Sequence, residues 1–240
     1  MLILKVIIMY SIYALKKALV HPIFTAITAI NYIAMYKDII YIKKALKSKF
    51  SEEDFKRYAI GASAGLKEVA LYVLVRKYKP KVIIETGVAN GLSTYFILKA
   101  IKRNGYGKLI SIDYPNYNKE GFITSEGKVD TVYIPSGLQP GWIVPQSLKE
   151  GNVWDLMIGK SSELLPKIKE DFDMFIHDSE HSYANMMFEL EWAASRMKNG
   201  IIICDDANQN NAFADFVKRH EKQIQSLRTP LAAIRFNGNI

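Results

Sequence analysis

The stretch Val82-Ile83-Ile84-Glu85-Thr86-Gly87-Val88-Ala89-Asn90-Gly91 decides the fold. Val82 to Ile84 is an apolar, β-branched run without alternation, which reads as a short strand buried on both faces. Two glycines then turn the chain, and residues 91–103 read as a helix. Strand, glycine turn and helix in that order begin a βα unit.

Working outward, the same alternation repeats. Residues 108–112 form a second strand, 153–158 a third, 172–176 a fourth and 201–204 a fifth. Helices are expected over 162–170 and 210–222. Another starts at Tyr183, with apolar residues at 183, 186, 187, 190, 194 and 197, and stops at Asn199-Gly200, which reads as a C-terminal cap. Upstream, a helix over 65–78 ends before Pro80. Residues 224–236 read as two strands with a turn near Pro230. Alternating units of this kind imply a parallel, doubly wound sheet with right-handed crossovers. The closing strand pair adds an antiparallel edge. Residues 114–151 carry Pro, Gly and aromatics with no period, and a loop of that length is usually functional.

The first 50 residues differ from the rest. They hold eight lysines, one acid (Asp38) and no glycine. Val6 to Leu15 is uncharged, Lys16-Lys17 follows, and Ala18 to Tyr36 is uncharged again. The second run approaches bilayer length, but His21, Pro22, Thr25, Thr28 and Asn31 argue against a stable span. Two or three helices are expected, apolar on one side and lysine-bearing on the other. They would pack on the main domain or a second subunit, or lie on a membrane surface with lysines toward headgroups. A signal peptide is not expected, because no basic n-region precedes the apolar run. Ser51-Glu52-Glu53-Asp54 reads as a helix start. The division expected is an N-terminal helical extension over 1–60 and a cofactor domain over 61–240.

Composition narrows the function classes. The formal net charge is +8, but nearly all of it sits in residues 1–50. The remainder is close to neutral, so a nucleic-acid partner is not expected. The single Cys204 excludes a disulfide framework and a cysteine zinc site, and fits a reducing, cytoplasmic compartment.

Three groups of residues carry chemistry. Gly87 and Gly91 allow close backbone approach of a ligand at a helix N-terminus. The spacing is neither that of a dinucleotide-binding turn nor that of a phosphate loop. Glu85 beside the turn would repel a pyrophosphate and suits a cationic ligand such as S-adenosylmethionine. Asp113, ending the second strand, can accept hydrogen bonds from a ribose diol. At the ends of the fourth and fifth strands stand His177-Asp178 with His181, and Asp205-Asp206. Asp178, Asp205 and Asp206 could converge around a divalent ion, Mg²⁺, Mn²⁺ or Ca²⁺, or could serve as helix caps and solvated acids. His181 could act as a general base or make a helix-start hydrogen bond. His177 is expected to point to the other side of its strand.

Taken together, VIIETGVANGLST (82–94), LISIDYP (109–115), GWIVP (141–145), GKSSELLP (159–166), FDMFIHDSEHSY (172–183) and GIIICDD (200–206) resemble class I S-adenosylmethionine-dependent methyltransferases. The branch resembled includes small metal-dependent O-methyltransferases and relatives of the sugar O-methyltransferase and cephalosporin hydroxylase type. The resemblance spans about residues 62–222. It implies a Rossmann-like, mostly parallel seven-stranded sheet. It also implies that Glu85, Gly87, Asn90, Gly91 and Ser93 line the methionine part of the cofactor. Asp113 would hold the ribose, and Gly159, Lys160 and Ser161 would edge the adenine. Lys160 departs from the acid common there and cannot accept from an adenine amine. Asp178 would border the cofactor and, with Asp205 and Asp206, hold the metal. Ala207 stands where catechol-type relatives carry Asn.

The implied activity is methyl transfer to a hydroxyl of a small molecule or glycan, with Asp178 and His181 as catalytic groups. Tyr114, Tyr117, Trp142 and Pro145 would wall the acceptor. A homodimer and peripheral attachment to the cytoplasmic face of a membrane are compatible with the N-terminal segment. The alternatives are a non-catalytic membrane-associated module on a methyltransferase scaffold and a nicotinamide-dependent oxidoreductase.

Overall fold

A computed structural model describes residues 22–58, 65–124, 126–127, 129–130, 132–227, 229 and 231–238. The Val6–Leu15 run, Lys16-Lys17 and the Pro230 turn lie outside them.

Seven strands form one sheet: β1 (Val82–Thr86), β2 (Lys108–Asp113), β5 (Trp154–Ile158), β6 (Met174–His177), β7 (Asn199–Cys204), β8 (Ile224–Ser226) and β9 (Ala232–Asn237). Their order across the sheet is β5-β2-β1-β6-β7-β9-β8. The pairs from β5 to β7 are parallel, whereas β9 runs antiparallel to both β7 and β8. The doubly wound sheet with an antiparallel edge is therefore present. Chain order reverses direction at β1: β2 and β5 lie to one side, β6 and β7 to the other. That reversal opens a crevice beyond the carboxyl ends of β1 and β6, the usual place for a ligand in such a sheet.

Helices cover both faces. α1 (Pro22–Ala34), α2 (Tyr36–Lys47), α3 (Glu52–Tyr58), α4 (Leu66–Tyr78) and α5 (Leu92–Asn104) precede β2. α6 (Ser161–Leu164), α7 (Tyr183–Arg196) and α8 (Ala212–Arg219) follow β5, β6 and β7. The cores are apolar because the strands are: Ile83, Ile84, Leu109, Phe175 and Ile202 are all fully buried. Buried residues of α1 and α2, from Phe24 to Leu46, join the same apolar cluster as Val69 to Val75 of α4. The expected boundary near residue 60 falls between α3 and α4.

Several elements differ from the sequence reading. α7 ends at Arg196, and Asn199-Gly200 opens β7 instead of capping the helix. A Cβ on Gly200 would lie 2.4 Å from the Asp173 carbonyl oxygen, so glycine is needed there for strand packing. The helix expected over 162–170 shrinks to α6 and one 3₁₀ turn over Leu165–Lys167, where Pro166 lacks a donor N–H. The 114–151 loop contains a small antiparallel pair, β3 (Phe122–Ile123) with β4 (Val129–Asp130), and a 3₁₀ turn over Gln146–Leu148. Ser51 caps α3 as expected, accepting from the Asp54 N–H at 3.0 Å.

Candidate active site

The glycine turn is fastened on three sides. Gly87 N–H donates to the Ile112 carbonyl of β2 at 2.9 Å, and Asp178 N–H donates to the Thr86 carbonyl at 2.9 Å. Gly141 N–H donates to the Ala89 carbonyl at 2.9 Å, bringing the long loop onto the turn. Gly87, Ala89 and Gly91 all take positive φ, at 84°, 46° and 96°. A Cβ on Gly87 would sit 1.9 Å from the Asp178 carbonyl oxygen, and one on Gly91 2.6 Å from the Gly141 Cα. The two glycines are therefore fixed by both conformation and space.

Asp113 ends β2 and bends back over this turn. Its Oδ2 accepts from the Val88 and Ala89 N–H groups at 2.7 and 2.6 Å. Burial raises its carboxyl above the ordinary value, against the lowering effect of those two bonds. Oδ1 takes no part in either bond.

Glu85 does not lie open to a ligand as its expected place beside the methionine part requires. It is fully buried, and its oxygens accept from Ser93 (2.7 Å), Thr94 (2.8 Å) and Ser111 (2.7 Å). Burial pushes its carboxyl up to about 7 despite the three hydroxyls. Ser93 is committed to this network. Asn90 likewise anchors the loop: its Oδ1 accepts from Trp142 Nε1 at 2.6 Å and its Nδ2 donates to the Tyr133 carbonyl at 3.3 Å. Trp142 is thus pinned beside the turn, while Tyr114 and Tyr117 stay exposed. On the far side, Gly159 N–H donates to the Asp113 carbonyl at 2.9 Å, placing 159–161 next to the end of β2. Lys160 is exposed over the Tyr114 ring, and Ser161 faces Asn185.

The acidic group forms where β6 and β7 end side by side. Asp178, His181 and Asp205 each bring one ligand atom within 4.8 Å of the others. Asp206 is not among them; its side chain is half exposed and accepts from Gln209 at 2.8 Å. Asp178 and Asp205 share a hydrogen bond. Burial and the Asp205 charge raise the Asp178 carboxyl well above its ordinary value. Burial would raise Asp205 too, but the bond from Asp178 and the Lys67 ammonium hold it low. The two carboxyls are therefore pushed in opposite directions, Asp178 up and Asp205 down. Two carboxylates and an imidazole fit a divalent ion, and the imidazole favours a first-row transition ion over Mg²⁺.

Two residues here carry no sequence signal of their role. Lys67 of α4 forms an ion pair with Asp205 and lies 3.9 Å from Asp206. Burial acts to lower its ammonium, and the facing acids raise it above the ordinary lysine range. Glu68 beside it keeps Oε2 buried with no hydrogen-bond partner. His177 does not stand clear of this group as expected: its ring meets the His181 ring edge-on, with centroids 5.4 Å apart. Its Nδ1 lies 2.6 Å from Glu189 Oε2 in a buried network with Thr86, Ser179 and Asn185. Glu189 did leave a trace in the sequence, as a charge on the buried stripe between Met186 and Leu190.

A family model described as a methyltransferase domain matches residues 84–207, from inside β1 to just past Asp206. The chain belongs to this methyltransferase-domain family. Solved structures share the fold of the methyltransferase domain. SAH-bound methyltransferase PaMTH1 from Podospora anserina is 15% identical, with a TM-score of 0.58 over 83% of this chain and 87% of its own. The O-methyltransferase TomG from Streptomyces achromogenes, in complex with SAM, is 13% identical, with a TM-score of 0.51 over 82% and 89%. A putative O-methyltransferase from Klebsiella pneumoniae is 13% identical, with a TM-score of 0.51 over 90% and 98%. No curated protein matches the sequence. The class I methyltransferase reading of the sequence is met.

Proposed function

We propose that the protein transfers a methyl group from S-adenosylmethionine to a hydroxyl of a small molecule or glycan. One observation carries this reading. The donor-side features (Asp113, Gly87, Gly91 and the α5 N-terminus) and the Asp178/His181/Asp205 group lie beyond the carboxyl ends of adjoining parallel strands, with the Asp178 carbonyl packed against Gly87. Gly91 caps α5 with no side-chain hydrogen bond, so no side chain at the cap competes with an anionic group for the first-turn N–H groups of α5. They suit the carboxylate of the donor's methionine part. Asp113 Oδ1 is placed to accept from a ribose hydroxyl, and Gly159 to Ser161 edge the base.

The cofactor supplies an activated methyl on a sulfonium. The chain's residues supply the rest. Alignment of donor and acceptor provides much of the acceleration. Trp142, pinned by Asn90, walls the crevice against water. With no ion bound, His181, within 4.8 Å of the Asp178 and Asp205 carboxyls, would take the acceptor's hydroxyl proton. With Asp178, His181 and Asp205 holding a divalent ion, the ion would instead lower the hydroxyl's pKa, and His181 would serve as a ligand and not as the base. Lys67 is the cation that such an ion must displace.

The test is methyl transfer from labelled S-adenosylmethionine to catechol and sugar hydroxyl acceptors. Asp205→Asn should lower turnover by about 100-fold or more, with donor affinity nearly unchanged. Equal turnover in the variant removes the acidic group from the chemistry. The nicotinamide alternative predicts binding of a nicotinamide dinucleotide instead, which isothermal titration reads.

A further inference from the structure

We propose that α1 and α2 seat the protein on an anionic phospholipid surface. α1 carries no charged side chain along its whole length. Its inner face, through Phe24, Thr28 and Tyr32, is buried against the domain. Its outer face is a stripe of Ile23, Ile27, Ile30 and Ile33, with Ile23 77% and Ile30 67% exposed. Isolated exposed isoleucines are ordinary, but a row of four at helical spacing with no charge between them is not. Water-facing helices normally place charge on that side.

α2 continues the surface with a different chemistry. Tyr36 and Ile40 are exposed beside the exposed Lys37, Lys44 and Lys47, while Tyr41, also exposed, turns its hydroxyl to the Ile143 carbonyl at 3.3 Å. Its single acid, Asp38, turns inward, where Tyr95 and the Lys99 ammonium both donate to it at 2.7 Å. The outward charge of α2 is therefore purely positive. Tyrosines suit the headgroup region, and lysine stems can lie along apolar surface with their ammonium groups at anionic lipid.

Geometry favours lying on the membrane over crossing it. No single helix among the described residues is long and apolar enough to span, and α1 and α2 meet at a 65° bend. The 13 residues of α1 extend about 20 Å, short of the roughly 30 Å hydrocarbon core. Residues 1–21 add Lys5, Lys16 and Lys17 to a further apolar sequence of the same character. This inference does not depend on the methyl-transfer reading.

The experiment is flotation of the full chain with vesicles of phosphatidylcholine alone or mixed with phosphatidylglycerol. Circular dichroism checks the fold, and light scattering reads the oligomeric state. The wild type should float with the anionic vesicles. Ile23→Glu with Ile30→Glu should lower the bound fraction about tenfold or more. Lys37→Glu with Lys44→Glu should weaken binding to anionic vesicles by a similar factor and leave any binding to neutral ones unchanged. If the glutamate pair prevents folding, Ile23→Ser with Ile30→Ser replaces it. A wild type that does not float overturns the proposal. So does wild-type flotation by the isoleucine variants, which would assign binding to residues 1–21. A dimer that dissociates in those variants, without vesicle binding, overturns it in favour of a second copy.

Discussion

Glu85 is a carboxyl held in an apolar interior by three hydroxyl donors, and its ionisation bears on stability. Its folded value is about 7 and its unfolded value near the ordinary 4.5. Between those values the folded chain binds more protons than the unfolded one, so stability falls as pH rises through that window. The full cost, on the order of 3 kcal/mol, is present above pH 7 and absent below about 4.5. Glu85→Gln should therefore gain thermal stability relative to wild type as pH rises, read by melting curves across the window; parallel curves for the two proteins contradict this. Lys67 makes a second prediction. Its ammonium already neutralises Asp205, so Lys67→Met should bind Mn²⁺ roughly tenfold or more tightly than wild type. Asp206→Ala should change that affinity little, and Asp205→Asn should remove it. Manganese spin-resonance titration reads all three, and tighter binding in wild type than in Lys67→Met contradicts the arrangement. Neither residue's environment was legible from the sequence. The motif names Glu85, but only the fold shows that Ser111 and Thr94 enclose it. Lys67 reaches the site from a helix whose pattern speaks only of burial.

The loop over 114–151 is held by few bonds at its inner end. Asn90 joins Tyr133 and Trp142 to the glycine turn, and Gly141 passes close enough that its own Cβ would strike the Trp154 ring at 2.4 Å. Asn90→Ala should leave the Trp142 donor unpartnered and cost about 1–3 kcal/mol. Limited proteolysis should then cut within the loop faster than in wild type; an unchanged cleavage rate counts against this anchoring. The strands that carry the site were readable because parallel strands buried on both faces leave unbroken apolar runs. The β3–β4 pair was not, since two residues per strand carry no period. Asn199-Gly200 was misread because a helix cap and a strand that needs close packing both select glycine. The strand-end position and the family resemblance both group Asp206 with the metal ligands. Its backbone, at φ 46°, turns the side chain outward, which adjacency in sequence does not reveal.

The whole molecule places one crevice at the reversal of strand order and a basic, apolar helix pair at its N-terminal side. The parallel sheet and its antiparallel edge follow from the alternation of units and the closing strand pair, so they were open to sequence reasoning, whereas the strand order needed the structure. The face that α1 and α2 leave exposed was not, because the same apolar residues fit packing, pairing or lipid until their partners are known. The account depends on the crevice holding the methyl donor through Asp113 and the glycine turn. Isothermal titration of S-adenosylhomocysteine into the folded wild type and Asp113→Ala tests it most directly. One-to-one binding by wild type, weakened about tenfold or more in the variant, is the result predicted. No binding by folded wild type, or equal binding by Asp113→Ala, contradicts it.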